Sequence, residues 1–229
     1  MKGEGDMNYI AVIGDIIDSK KIENRGQIQQ KLNRVLKQIN ETYQDDIAAK
    51  FIITLGDEFQ GLLKTKEHLI VIVKYIQQVM YPVKLRFGIG LGEIRTDIFY
   101  EAAIGADGPA YYKARKMIEE LRDQEKKLKK QAADIQLSIY EITKFEIEEI
   151  NTILVLMKLI EDKWSEKQRF TIWDMEQNGG SQKECAERMN TTQSTVARRL
   201  AEGNYLTYER AKETVDEAIR RLGEVYYDH

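Results

Sequence analysis

The sequence predicts an α+β chain: a mostly antiparallel sheet with helices over residues 1–142, followed by an all-helical region over 143–229. Three observations predict it. Short apolar runs bounded by glycines and acids alternate with stretches of three- and four-residue apolar spacing, the signatures of buried strands and amphipathic helices. Their order is β-α-β-β-α-β, with one further α-β unit. Strand-like runs then stop, and everything after residue 143 carries helical periodicity.

Each element has its own justification. "YIAVIGDII", 9–17, is an apolar run broken at Gly14-Asp15 and reads as a buried strand ending at an acid. From Arg25 to Tyr43, Ile28, Leu32, Val35, Leu36, Ile39 and Tyr43 mark one face of a helix. "AKFIITL" and "FQGLLK" form two strands across the turn Gly56-Asp57-Glu58. Residues 66–80 form a helix that must end before Pro82. "VKLRFGIGLGEI", 83–94, is a strand whose glycines at 88, 90 and 92 require something to approach the backbone closely. A helix from Ala110 runs into the charged "LRDQEKKLKKQ", and "IQLSIYEI", 135–142, closes the sheet. The connectivity is that of a ferredoxin-like split βαβ, with helices expected on one face of the sheet. In "FEIEEINTILVLMKLIEDKW", Ile147, Ile150, Leu154 and Met157 fall at near-heptad spacing. That leaves open a connecting helix or the seam of a homodimer.

Composition bounds the function. With 229 residues, 42% hydrophobic and 32% charged, the chain can bury a core of one large or two ordinary domains. No apolar run reaches the roughly 18 residues that a membrane span needs. The first ten residues lack the basic-then-apolar pattern of a signal peptide, and a single cysteine, Cys185, excludes an internal disulfide. A cytoplasmic protein with no membrane partner is expected. Net charge is −3, and residues 143–229 hold 13 Lys and Arg against 17 Asp and Glu. Any contact with nucleic acid must therefore come from a local patch.

The expected fold makes the first strand and the hairpin neighbours, so Asp15 and Asp57 can converge. Two ionised carboxylates at one point repel, and a hard divalent cation such as Mg²⁺ relieves the repulsion while keeping positions open for phosphates. Gly-Asp is also an ordinary hairpin turn, since both residues tolerate positive φ; pairing with Asp15 is what favours a metal. Lys20 and Ser19 lie on the loop after the first strand, within reach of a phosphate, and Lys20-Lys21 equally suits a solvated turn. "GADGPAYY" sets Gly105, Gly108 and Pro109 ahead of a helix. Its backbone donors could receive an anion, although the same pattern makes a plain loop-to-helix entry. Arg86, next to the glycine-rich strand, could face the site, although a strand-surface arginine is the favoured reading, and Glu58 is expected to point away from Asp57.

"IGDIIDSK", "TLGDEFQGLL", "RFGIGLGEI" and "IGADGPAYYKAR" resemble, in order and spacing, the core motifs of class III nucleotide cyclases and diguanylate cyclases over residues 8–142. Together with the short helical C-terminal region, most of the chain resembles the SatD family, bacterial proteins linked to stress and acid tolerance. The cyclase resemblance implies a palm domain that binds a nucleotide or phosphorylated small molecule. Asp15 and Asp57 would be its metal ligands, the Ile16 carbonyl a further ligand, and Arg115 the arginine that steadies transition-state phosphates. Three positions depart from the pattern. Asp18, Ser19 and Lys20 replace the phosphate-cradling Gly-Phe-Thr, Tyr111 replaces the transition-state asparagine, and Ile53 replaces the base-selecting lysine. A binder that cyclises nothing is the reading they favour, with an active nucleotidyl cyclase or phosphotransferase, or a protein-interaction scaffold, as alternatives.

"SQKECAERMNTTQSTVARRLAEG" resembles a helix-turn-helix. One helix over 182–189 carries Ala186 at a close crossing, and Asn190 suits a left-handed turn. A second helix buries Val196 and Leu200 and presents Gln193, Ser194, Thr195, Arg198 and Arg199. In such units the N-terminal residues of the second helix meet base edges in the major groove of double-stranded DNA. Glutamine suits adenine, and arginine suits guanine or phosphate. A packing hairpin is the alternative. Trp164, Trp173 and tyrosines 205, 208, 226 and 227 are expected in the core, and Cys185 as a buried, inert thiol.

Overall fold

The computed structural model describes residues 9–128, 133–139 and 144–222. The elements are β1 (Tyr9–Ile16), α1 (Arg25–Thr42), β2 (Ile47–Leu55), β3 (Glu58–Leu63), α2 (Leu69–Met80), β4 (Leu85–Gly92), α3 (Pro109–Leu128) and β5 (Ile135–Ile139). The helical part is α4 (Lys144–Glu161), α5 (Glu166–Asn178), α6 (Gln182–Arg188), α7 (Gln193–Glu202) and α8 (Tyr205–Arg221). The expected boundary at 142/143, the end of the last strand, and Tyr226 and Tyr227 lie outside the described residues.

The sheet order is β2-β3-β1-β4-β5. β1 runs antiparallel to both β3 and β4, and β2 antiparallel to β3, as the split βαβ requires. α3 then carries the chain from β4 to β5, which pair in parallel.

Helices cover both faces, not one. Ile10, Val12 and Ile16 of β1, with Phe51, Phe59, Phe87 and Ile89, pack against Leu32, Val35, Leu36 and Ile39 of α1 and the apolar face of α2. The alternate residues Ala11 and Ile13 face α3, with Ala49, Leu62, Ala110, Tyr111, Ala114 and Ile118. Alternation along each strand produces the two faces. The glycines of β4 explain how α3 fits. A Cβ on Gly88 would lie 2.1 Å from the Ala114 carbonyl oxygen, and one on Gly90 2.1 Å from that of Ala110. The close approach expected at these glycines is that of a helix backbone.

Both open edges of the sheet are closed by an asparagine. On β2, Phe51 donates its N–H to Asn40 Oδ1 (2.8 Å), and Asn40 Nδ2 donates to the Phe51 carbonyl (2.9 Å). On β5, Leu137 and Asn151 make the same pair at 2.8 and 2.9 Å. Each amide imitates one residue of a missing strand and removes a template for edge pairing.

α4 packs on β5 and α8 and buries Ile150, Leu154 and Met157. The stripe open to a connecting or dimer-forming role is thus engaged within the chain. No helix among the described residues is long and apolar enough to cross a membrane.

Candidate functional site

Asp15 ends β1 opposite Glu58 of β3 and Arg86 of β4. It continues the series Ala11-Ile13-Asp15, so its carboxylate faces α3. Arg122, near the end of α3, reaches Asp15 Oδ2 with Nη2 at 3.0 Å and Nε at 3.2 Å. Arg86 Nη1 lies 3.4 Å from the same oxygen, while its Nη2 donates to Glu125 Oε2 at 2.8 Å. Glu58, on the same face, pairs with Arg115 Nη1 at 3.3 Å. Three carboxylates and three guanidiniums therefore interlock at this end of the sheet, with Asp15 4% and Arg86 8% exposed. Burial raises the Asp15 pKa above the usual carboxylate range; Arg122 and then Arg86 offset part of that rise, and the Asp57 charge adds a smaller push upward.

Asp57 occupies the hairpin beside Gly56, whose φ is +59°. Its carbonyl accepts from the Ile16 N–H at 3.1 Å, which ties the hairpin to the end of β1. Its carboxylate accepts a short hydrogen bond from the Ser19 hydroxyl. Ser19 belongs to a 3₁₀ turn over Ser19–Lys21 that begins at left-handed Asp18, and Lys20 is exposed there.

The structure thus gathers Asp15, Ile16, Ser19 and Asp57 at one end of the sheet, each acid with its own partner. Arg115 is nearby but engaged with Glu58 and half exposed. Gly105 and Gly108 belong elsewhere. The loop carrying them follows β4 and enters α3 at Pro109, and a Cβ on Gly108 would meet the Glu93 carbonyl oxygen at 2.6 Å. From Pro109 to Arg122 the helix rises about 20 Å, so these glycines lie at the opposite end of the sheet from Asp15. Tyr111 is buried in the first turn of α3. Among the described residues its hydroxyl has no hydrogen-bond partner, and burial drives its pKa far above that of a free phenol.

A resident Mg²⁺ does not fit this arrangement. Two guanidiniums already answer the Asp15 charge, Asp57 is held by a hydroxyl, and no group of three or more His, Cys, Asp or Glu side chains gathers as a metal site among the described residues. Arg122 and Glu125 are not singled out by the sequence. Of the two places open to Arg86, the strand surface and the site, the structure gives the second, because the residue facing Asp15 across β1 and β4 has to share its face. Arg115 and Arg122 stand seven apart, two helical turns, and that spacing was the one available sign that both look at the same sheet end.

The second candidate surface is built by α5, α6 and α7. Ser165 and Ser181 cap α5 and α6 with reciprocal capping boxes. Asn190 takes φ +49°, and the Thr191 N–H returns to the Ala186 carbonyl at 2.9 Å, turning the chain from α6 into α7. Cys185, Ala186, Val196 and Leu200 are buried between the helices, and burial pushes the Cys185 thiol up to about 11. Arg188 pairs with Asp174 of α5 at 2.7 Å and holds that carboxyl below its ordinary range. Arg199 Nη1 donates to Thr171 Oγ1 of α5 at 3.3 Å, so it is half-buried and engaged. Gln193, Ser194 and Arg198 are exposed and Thr195 partly so. Trp164, Trp173 and Tyr208 are buried, and Tyr205 is half-buried.

No curated protein matches the chain. Among solved structures it is similar to a bacterial light-regulated adenylyl cyclase (14% identity, TM-score 0.40, covering 58% of this chain and 76% of that one). It is also similar to the guanylyl cyclase Cya2 (14%, 0.33, 49% and 70%). A regulator of polyketide synthase expression from Bifidobacterium adolescentis is similar at 14% and 0.31, over 96% and 83%. The sheet of β1 to β4, with its two-acid end and its helical extension, is what the SatD family model spans from residue 9 to 219, and the chain belongs to the SatD family.

Proposed function

We infer that the chain is a DNA-contacting regulator, in which the cyclase-like palm serves as a non-catalytic scaffold and the helix-turn-helix of α6 and α7 reads the duplex. One observation carries the reading. The exposed start of α7 presents Gln193, Ser194 and Arg198, with no acid between Asn190 and Glu202, on a support that Asp174–Arg188 and Thr171–Arg199 hold rigid. A short polar helix start of that kind meets base edges, and its arginine meets guanine or phosphate. The acidic balance of the whole region limits non-specific affinity, because phosphate neutralisation supplies most of it.

The palm end supports a scaffold better than a catalyst. Asp15 is neutralised by Arg122 and Arg86, Arg115 is drawn to Glu58, and Ser19 is held by Asp57. A phosphorylated ligand arriving there would meet Arg25, which lines the hollow beside Ser19 and Asp57, and the exposed Lys20. The test is fluorescence anisotropy on a pool of genomic duplexes at low salt. Binding that weakens in Gln193→Ala and Arg198→Ala is the expected result, and no shift for the unaltered chain discards the reading.

A further inference from the structure

Charge is spread unevenly along this chain. Residues 19–40 hold six Lys and Arg against one acid, Glu23, while the rest of the chain holds 29 against 37, a net of −8. The six stand on the outer face of one helix and the turn that leads into it. Lys20 and Lys21 belong to the 3₁₀ turn, and Arg25, Lys31, Arg34 and Lys37 follow along α1. Leu32, Val35, Leu36 and Ile39 bury the other face of α1 against the sheet, which leaves the charged face to solvent. Among the described residues no acid pairs with Lys20, Arg25 or Arg34, and Arg34 uses only its Nε, on the Gln30 carbonyl at 3.4 Å. Lys21 meets Asp18 at 3.0 Å and Lys37 meets Glu41 at 3.8 Å, but each lysine side chain is 78% exposed. Contacts of that kind hold little, and the cations can exchange partners.

What such a strip recognises follows from what it lacks. From residue 19 to 42 no large apolar side chain is exposed and no aromatic residue occurs. A helix that docks on an anionic membrane presents an apolar face for insertion, and a protein partner is held by aromatic or aliphatic anchors. A single nucleic-acid strand stacks its bases on rings. The strip offers none of these. Between its cations it offers amides, the exposed Gln27, Gln30, Asn33 and Gln38. Cations interleaved with amides are the donors that phosphate and sugar contacts use. The 18 residues of α1 extend about 27 Å, and a duplex presents a charge every ~1.7 Å along such a length.

We propose that the outer face of α1, with the turn before it, is a docking surface for the phosphate backbone of double-stranded DNA. The proposal rests on the reading of the chain as a DNA-contacting regulator and supplies what that reading lacks, the cations that acidic residues 143–229 do not provide. α1 and the helical region also adjoin. Lys31 donates to the Tyr81 carbonyl at 3.3 Å, and Tyr81 packs edge-on against Phe170 and Trp173 of α5.

The test is fluorescence anisotropy of the full chain on short duplexes of two unrelated sequences, across a salt series. In Arg34→Gln/Lys37→Gln both duplexes bind about tenfold more weakly, and the slope of log affinity against log salt falls by about two. The melting temperature stays as it was, because both side chains lie in solvent. Lys116→Gln, exposed on α3 over the other face of the sheet, alters neither affinity nor slope. The two surfaces are separable by experiment. A loss in the α1 variant with none in Gln193→Ala upholds the strip and discards the reading of α7. A loss in Gln193→Ala with unchanged affinity and slope in the α1 variant does the reverse and overturns the proposal. So does an equal loss in Lys116→Gln, the absence of any duplex binding by the unaltered chain, or better competition by single strands or vesicles of anionic lipid than by duplex.

Discussion

The arginines at the end of the sheet and those on α7 are the same residue type in opposite circumstances. Arg86 is 8% exposed and divides its guanidinium between Asp15 and Glu125. Arg122 closes on Asp15 from the helix above. On α7 the Arg198 side chain is 65% exposed and its one ion pair, to Glu202, spans 3.4 Å between two solvated groups, a contact worth little. Arg199, its neighbour, is anchored to Thr171. The difference lies in what the charge is for. A guanidinium buried against carboxylates fixes two elements together, whereas one held at the surface by a rigid helix remains available to a phosphate or a base.

The largest effect expected from this contrast is at Asp15. Asp15→Ala leaves Arg86 buried with Glu125 alone and frees Arg122, and breaking a buried pair from one side costs about 3 kcal/mol. Urea unfolding of the variant, compared with Arg198→Ala at under about 0.5 kcal/mol, measures the contrast. A neutral or stabilised Asp15→Ala would show instead that Asp15 is held ready for a ligand, and the palm would return to being a candidate catalytic site.

Next in size is the effect on DNA. If Gln193 reads a base edge, Gln193→Ala weakens specific binding by about 1–3 kcal/mol and relaxes the preferred sequence at one position. Arg198→Ala, if it meets phosphate, weakens all sequences alike and lowers the salt slope by about one. Anisotropy at two salt concentrations separates these outcomes. Arg199→Ala sharpens the comparison from the other side. It removes a hydrogen bond to Thr171 and lowers stability by about 1 kcal/mol as well as any DNA affinity.

The contrast also explains what the sequence made legible. β1, the hairpin and α1 were readable because apolar alternation and three-four spacing are local properties. The helix-turn-helix was readable for the same reason, since Ala186, Asn190, Val196 and Leu200 lie within fifteen residues of one another. Asp15 and Asp57 were readable as neighbours because strand order follows from connectivity. Their partners were not: Arg122 is 107 residues from Asp15, and an arginine on a strand carries no local mark of burial. The glycines of β4 announced a close approach without naming α3, because a missing Cβ admits a helix and a ligand equally. The coverage of both faces was hidden in the short residues of α3, where Ala110 and Ala114 read as ordinary helix rather than as a surface cut to fit a sheet.

A further contrast lies at Asp134. Its side chain is 18% exposed against 6% for Asp15, and Lys158, 3.8 Å away, is shared with Asp162. Burial raises its pKa to about 6, with Lys158 and Lys74 lowering it and Glu161 and Asp162 raising it. Between the ordinary value of 3.8 and about 6 the folded chain keeps a proton that the unfolded chain has released. Stability from this group is therefore full below about pH 4, declines as pH rises toward 6, and is lost above it. Asp134→Asn is neutral at every pH and lacks that decline. The melting temperature of the variant is thus expected to match that of the unaltered chain near pH 4 and to exceed it near pH 7 by several degrees. Differential scanning fluorimetry across that range reads the difference directly, with the other carboxylates cancelling between the two proteins. A variant less stable at pH 7 would mean that Asp134 is held ionised in the folded chain by Lys158 and its other partners, against the upward shift that burial imposes.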